Sequence, residues 1–89
     1  MITIKIPALW KPITHESHIE VQACTVAGAL QELVTRYPHL GSQLFTEQKE
    51  VNDAIHLFVN HEHIRFHGGL DAPLQDGDEV YIVPMISGG

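Results

Sequence analysis

The residues best suited to chemistry in this chain are the two that end it, Gly88 and Gly89. Neither has a side chain, so this segment is thin enough to enter a narrow tunnel. Its α-carboxylate is ionised at neutral pH, because α-carboxyl groups titrate near about 3.5. Such a carboxylate can attack the α-phosphate of a nucleotide and become an acyl adenylate. A frayed or trimmed terminus is the alternative interpretation of a terminal Gly-Gly.

The seven histidines are the other candidate chemical groups, and three of them fall in one short segment. A hairpin would point His61 and His63 to one side, and together with Glu62 they could hold a zinc or copper ion. The sequence offers no persuasive fourth ligand for such an ion, and histidine is common in solvated turns. We therefore expect His61, His63 and His67 to be surface residues and expect no metal site.

Other catalytic patterns are missing from the sequence. It contains no Ser-His-Asp arrangement, no phosphate-binding glycine loop and no spaced cysteine ligands. The single cysteine, Cys24, falls where a strand is followed by a helix, a position at which a thiol can become reactive. Free cysteines are more often buried, and we expect Cys24 to be a small buried residue at the end of a strand.

Composition and charge narrow the class of protein further. A chain of 89 residues makes one domain, and its 11 acidic and 5 basic residues give a net charge of −6. This balance argues against a nucleic-acid partner and suits docking on a basic protein surface. No apolar run approaches the roughly 20 residues of a membrane span. No signal-peptide pattern opens the chain, and one cysteine fits a reducing compartment, so we expect a cytoplasmic protein.

Hydrophobic periodicity predicts five strands and one long helix. Alternating apolar residues indicate strands, and apolar residues at i, i+3, i+4 and i+7 indicate a helix, which Thr25 caps and Pro38 ends. A turn is expected over residues 10–17, and residues 39–52 are expected to be irregular, with a short helical turn around 42–46. The predicted strands lie within residues 1–9, 18–23, 54–60, 64–66 and 79–83, and the helix spans 26–37.

The element order β-β-α-β-β-β favours an α+β fold, with one mixed five-stranded sheet and the helix packed on one face. The connection through the helix allows a later strand to lie parallel to the first. Ile4 and Ile82 should then be buried beneath Leu30 and Leu33. The other face of the sheet is left for a partner. We expect a folded domain over residues 1–84 and a flexible tail over residues 85–89.

Three segments carry a resemblance to a known family. The ending DGDEVYIVPMISGG at residues 76–89 has an acidic glycine turn, an apolar last strand and a short apolar linker before the glycines. It resembles the ending of the ubiquitin-like sulfur carriers of the MoaD/ThiS family. The segment TVAGALQEL at 25–33, with Tyr37-Pro38, is similar to the helix of that family, and Phe58-Val59-Asn60 to its third strand. The resemblance implies a β-grasp fold with strand order 2-1-5-3-4.

The resemblance also implies a function and a set of partners. Gly89 would be adenylated by an enzyme similar to ubiquitin-activating enzymes. ATP and magnesium would belong to that enzyme, and the carrier would bind no cofactor and would not be catalytic alone. Sulfide or a sulfurtransferase would then leave a thiocarboxylate on Gly89, and Gly88 would keep the tail slim.

The acceptor of the sulfur is less sharply indicated by the sequence. The length and the ending of the chain resemble both the small subunit of molybdopterin synthase, whose tail enters the large subunit, and the carrier that supplies sulfur for cysteine synthesis. We favour molybdopterin synthesis because that carrier is the more abundant. Carriers for cysteine synthesis or for thiamine-thiazole synthesis, which are usually shorter, and ubiquitin-like protein modifiers remain the alternatives. We expect the partner to contact Met85, Ile86 and Ser87 of the tail, and also Phe66 and Leu57, which we take to be exposed apolar residues.

Overall fold

A computed structural model describes residues 1–85 of the chain, and the last four residues lie outside the described part. Its centre is a five-stranded sheet with the spatial order β2-β1-β5-β3-β4. The strands are β1 (Ile2–Lys5), β2 (His18–Val21), β3 (Ile55–Val59), β4 (Glu62–His63) and β5 (Glu79–Pro84). The α-helices are α1 (Lys11–Thr14), α2 (Val26–Arg36) and α3 (Gly41–Leu44). Single 3-10 turns occur at Ala8–Trp10, Pro38–Leu40, Ile64–Phe66 and Gly69–Asp71.

The sheet is mixed, as the element order predicts. β1 pairs with β5 in parallel and with β2 antiparallel, while β3 pairs antiparallel with both β5 and β4. The parallel pair is possible because the connection that contains α2 lies between the two strands in sequence. This is the β-grasp arrangement, so the predicted fold class and strand order are confirmed.

The ends of helix α2 are set by a capping residue, Thr25, and by Pro38. Thr25 has an extended backbone, and its hydroxyl accepts a hydrogen bond from the Gly28 amide at 3.1 Å, which satisfies one free donor of the first turn. The helix ends at Arg36, before Pro38. Its buried face consists of Val26, Ala29, Leu30 and Leu33, the positions that the helical period selects.

The core lies between α2 and one face of the sheet. Ile4, Leu30 and Leu33 are fully buried and Ile82 is 4% exposed, so the predicted burial of these four side chains is confirmed. The hydrophobic core also contains Trp10, Leu40 and Leu44. These side chains come from segments that we predicted from the sequence to be a turn or irregular. Within residues 1–85 no helix is long and apolar enough to cross a membrane.

Two local predictions are wrong. Residues 64–66 form a 3-10 turn, and the pairing strand is Glu62–His63 just before them. The early pairing follows from Asn60, whose positive φ of 58° closes a tight turn immediately after β3. Residues 10–17, expected to be a turn, contain helix α1, and the Trp10 side chain is buried and donates from Nε1 to Gln43 Oε1 at 2.7 Å.

Candidate functional site

The tail leaves the domain from the end of β5, an interior strand held on both sides. β1 lies on one side of it and β3 on the other, and Pro84 is paired with Ile55. The Met85 amide also donates to the Ala54 carbonyl oxygen, so the backbone is anchored one residue beyond the strand. The Met85 side chain is 57% exposed. The other predicted tail residues, Ile86, Ser87, Gly88 and Gly89, lie outside the described residues.

The turn before β5 fixes where that strand starts. Gly77 has a φ of 93°, a conformation that residues with side chains rarely adopt. Asp78 closes the turn, because its Oδ2 accepts from the Gln75 amide at 2.8 Å. Asn60 ties the turn to β3, since its Oδ1 accepts from the Glu79 amide at 3.1 Å. The acidic glycine turn at residues 76–78 therefore sets the register in which β5 pairs with its neighbours. This register places Met85 at the end of the sheet.

Among residues 1–85, no helix covers the face of the sheet opposite α2, and the side chains on this face are those that alternate with the core residues. Tyr81 lies opposite Phe58, and Val83 lies opposite His56. Lys5 lies beside Tyr81 on the parallel neighbour. We call this surface, which continues to Met85, the outer face.

A polar group on the outer face is held by an internal hydrogen bond. The Tyr81 hydroxyl donates to Glu79 Oε1 at 2.7 Å, and Lys5 Nζ lies 3.8 Å from Glu79 Oε2. The hydrogen bond to Glu79 is the main reason that the pKa of Tyr81 is raised, with desolvation and the negative charge of Glu79 adding to it. Tyr81 is therefore a neutral hydrogen-bond donor on this face at neutral pH.

Phe66 and Leu57, the two apolar residues proposed for an interface, differ in their exposure to solvent. Phe66 is 67% exposed, and the Arg65 guanidinium lies 5.0 Å from the centre of its ring. Leu57 is only 1% exposed and belongs to the core, so the expectation that it is exposed is wrong. Leu57 is buried because it lies opposite Ile82 and shares the helix-covered side, while His56 and Phe58 alternate with it.

The histidines are divided between two environments. His61 is exposed, and His67 Nε2 lies 3.3 Å from Glu62 Oε1 on the surface. His63 is half-buried, and its ring stands edge-on to His56 and Phe58, with ring centres 5.3 and 5.2 Å apart. Among residues 1–85 no three histidine, cysteine or carboxylate side chains are grouped so that they could hold a metal ion.

His56 was missed as a partner of His63 by sequence reasoning. The alternation of β3 places His56 on the same side as Phe58, and Phe58 pairs with His63 across the hairpin. The signal was present, but it required the correct register of β4. The predicted strand began two residues later than the real one.

Cys24 is exposed, so the expectation that it is buried is wrong. Its carbonyl oxygen accepts from the Leu74 amide at 2.8 Å, which holds the backbone of this segment in place. The neighbouring residue Ala23 packs against the core. Since side chains of an extended segment alternate between faces, Cys24 points the other way.

The family of the chain follows from comparison with known proteins. A model of the ThiS family matches residues 4–89, which is nearly the whole sequence and includes the terminal glycines. The chain belongs to the ThiS family. The resemblance to ubiquitin-like sulfur carriers seen in the sequence is thereby confirmed.

Individual relatives of this ThiS-family chain match along its full length. The sulfur carrier protein CysO of Mycobacterium tuberculosis is 28% identical over 91 residues, covering 99% of this chain and 98% of that protein. A chain of the Amycolatopsis orientalis BexX/CysO complex superposes with a TM-score of 0.90 at 31% identity, covering all of both chains. SAMP1 from Haloferax volcanii superposes with a TM-score of 0.85 at 28% identity, covering 99% of this chain and 98% of that one.

Proposed function

We propose that this protein carries sulfur as a thiocarboxylate on Gly89 and delivers it to a biosynthetic enzyme. The observation that carries the proposal is the family match that runs through the acidic glycine turn and β5 to the last residue. Full-length relatives named as sulfur carriers support it. The protein acts as a co-substrate, and the catalytic groups belong to its partners.

The first step is activation of the tail by an adenylating enzyme. The ionised carboxylate of Gly89 attacks the α-phosphate of ATP and displaces pyrophosphate, with magnesium held by the enzyme and its nucleotide. Sulfide then attacks the acyl carbon and AMP leaves, which gives the thiocarboxylate directly. A persulfide on a sulfurtransferase would instead give an acyl disulfide, and a second thiol of that enzyme would reduce the S–S bond, releasing the thiocarboxylate and forming a disulfide on the enzyme. Gly88 and Gly89 suit this step because they present no side chain to the walls of the enzyme's tunnel. The need for ATP makes the cytoplasm the expected compartment.

The outer face gives the activating enzyme a surface that leads to the tail. Phe58, Tyr81 and Val83 lie on this face, and Met85 follows directly in the chain. Val83 is 36% exposed and Met85 57% exposed, so this face presents apolar side chains close to the start of the tail. A partner seated on these side chains would contact the chain at Met85, where the tail begins.

Cysteine synthesis is the acceptor pathway that the comparisons favour. Sequence relatives that cover 99% of this chain are named CysO sulfur carriers, and a CysO chain is also the structural match from the BexX/CysO complex. We therefore propose a CysO-type role and place it ahead of the molybdopterin role favoured by the sequence. Because that CysO forms a complex with BexX, we propose a protein partner for this chain as well.

Intact mass spectrometry tests the proposal. The chain is incubated with an adenylating enzyme from the same organism, ATP, magnesium and sulfide. Replacement of one oxygen of the free Gly89 carboxylate by sulfur should add about 16 Da. A variant lacking Gly89 is the matched control, because its carboxylate stops about 3.5 Å short, one residue of extended chain.

The control variant should unfold at the same temperature as the wild type and gain no mass. Even a misplacement of about 1 Å can reduce such a reaction about a hundredfold. An established CysO carrier in a parallel reaction verifies that the enzyme is active. The sulfur-carrier proposal is wrong if that carrier gains mass while the wild-type chain does not, or if the variant lacking Gly89 reacts equally well.

A protein-modifier role is the second candidate, and a specific likeness favours it. SAMP1, a small archaeal modifier protein, superposes on this chain at 28% identity. In this role the activated Gly89 would form an isopeptide bond with a lysine of a target protein. Conjugates on a denaturing gel of cell extract, absent for the variant lacking Gly89, would support modification. Free thiocarboxylate without conjugates would support sulfur transfer alone.

A further inference from the structure

The pair formed by His56 and His63 joins the edge of the sheet to the turn that follows it. His56 lies on β3 and His63 on β4, and His56 Nδ1 is 3.1 Å from His63 Nε2. Within residues 1–85, β4 has two residues and pairs with Phe58 and Val59 alone. Few backbone hydrogen bonds therefore hold this edge, and besides the buried side chain of Ile64 the side-chain hydrogen bond between the two strands connects it to β3.

A second hydrogen bond determines where the protons sit on the pair. The Arg65 amide donates to His63 Nδ1 at 3.1 Å, so this nitrogen carries no hydrogen. A neutral imidazole has one N–H, which for His63 must then lie on Nε2 and point to His56. His56 Nδ1 accepts this hydrogen bond, and the N–H of neutral His56 lies on Nε2. One arrangement of protons satisfies both contacts, and both rings are neutral in it.

Protonation of either ring removes one of these contacts. A protonated imidazole carries N–H groups on both nitrogens and accepts no hydrogen bond. On His63 the added proton would face the Arg65 amide, donor against donor. On His56 it would face the Nε2–H of His63, which avoids the clash only by moving its own proton to Nδ1, where that proton faces the Arg65 amide. Acidification therefore breaks one of the two hydrogen bonds that link the Arg65 amide through His63 to His56, whichever ring takes up the proton.

Charged groups around the pair come from three sides. Arg65 lies on the turn after β4. Lys49, Glu50 and Asp53, from the segment before β3, line the same open depression as both imidazoles. Tyr81 on β5 lies opposite Phe58, against which His63 packs. The pKa of His63 is lowered, first by desolvation and then by electrostatic interaction with Arg65 and His56.

The turn held by this connection carries exposed interaction groups. His63 caps the 3-10 turn Ile64–Phe66 by accepting from Arg65. That turn presents Phe66 at 67% exposure, beneath the guanidinium of Arg65. We propose that the His56–His63 pair is a pH-sensitive latch, which holds the Arg65 amide of the turn Ile64–Phe66 to strand β3 through His63 only while both imidazoles are neutral. This device is independent of the sulfur-carrier function.

Amide hydrogen exchange at Arg65, followed by NMR, tests the latch. Exchange rates are corrected for the intrinsic effect of pH and compared at about pH 7.5 and about pH 5, on either side of the ordinary imidazole range. In the wild type the protection of the Arg65 amide should fall about tenfold at the lower pH, the effect of losing roughly one hydrogen bond. The Leu33 amide in the core of α2 reports global unfolding and should keep its protection.

Two variants test whether the loss of Arg65 protection at low pH is caused by the latch. His63→Asn keeps an oxygen that can cap Arg65 but cannot titrate, because asparagine is a good cap, so its Arg65 protection should not depend on pH. His61→Ala removes an exposed histidine of the same hairpin and should behave like the wild type. The nearby contact between His67 and Glu62 is left in place by both variants, so it does not distinguish them.

Four results would overturn the latch. The protection of Arg65 in the wild type could be the same at both pH values, or fall equally in His63→Asn. Leu33 could lose protection in parallel, which would mean general destabilisation. Addition of one equivalent of Zn²⁺ at about pH 7.5 could shift the ring signals of both His56 and His63, which would identify the pair as a metal site.

Discussion

Truncation of Leu33 tests the packing that supports the tail. Leu33 is fully buried on the inner face of α2, within the same cluster as Ile4 and Val80 of the paired strands β1 and β5. Leu33→Ala removes three side-chain carbons from this core, and their transfer to water corresponds to about 2.4 kcal/mol at about 0.8 kcal/mol for each carbon. The sheet limits collapse around the gap, so the cavity should raise the loss in unfolding free energy to about 3–4 kcal/mol.

Urea denaturation followed by tryptophan fluorescence measures this loss. Trp10 is the single tryptophan of the chain and is 1% exposed, so unfolding transfers it from the core to water. A loss of this size should also lower the melting temperature by about 15–25 °C for a domain of this length. Leu9→Ala is the control, because Leu9 is 53% exposed, and it should change stability by less than about 0.5 kcal/mol. A loss below about 1 kcal/mol for Leu33→Ala would refute the proposed packing.

Three further predictions address the cap, the tail and the exposed turn. Thr25→Ala should lower the unfolding free energy by about 0.5–2 kcal/mol through loss of the N-cap, while Thr25→Ser should retain most of it in the same urea assay; equal stability of all three would contradict the cap. Gly88→Val should leave the melting temperature unchanged and block the mass gain with the adenylating enzyme, since a branched side chain widens the tail; normal activation would disprove the need for slimness. Phe66→Ala should change stability by less than about 0.5 kcal/mol because this side chain is mostly exposed, and should weaken binding to a partner in calorimetry; unaltered binding to every partner would remove Phe66 from the interface.

The placement of the tail connects the fold with the proposed chemistry. β5 lies between two neighbours and is anchored at both ends, by the Asn60 contacts to the turn and by the Met85 amide. A carrier benefits when the start of its tail has a constant position relative to the surface that the partner recognises. An interior strand meets this need better than an edge strand, because hydrogen bonds on both sides resist its displacement.

Local features of the sequence were sufficient to predict helix α2 and the strands β1, β2, β3 and β5. The helix between Thr25 and Pro38 was predictable because capping and the exclusion of helix before proline act over one or two residues. The same holds for the strands that contain Ile4 and Ile82, whose alternation marks one side as apolar. The terminal Gly-Gly was equally visible, since its chemistry depends on the absence of side chains.

The tertiary structure decided which face of each strand is covered and what else the core contains. Alternation shows that Leu57 and Phe58 point to opposite sides, but only the position of α2 shows that Leu57 is the buried one. The burial of Trp10 and the exposure of Cys24 likewise depend on contacts with residues far away in sequence, such as Gln43 and Leu74.

The His56–His63 pair shows the physical reason most clearly. Residues seven positions apart come within hydrogen-bond distance because Asn60 closes the hairpin in one register. A shift of one residue would turn His63 to the other face of the sheet. The periodicity of the sequence shows which side chains of a strand share a face. Register and packing determine which residues each face contacts, and both are established only when the whole chain has folded.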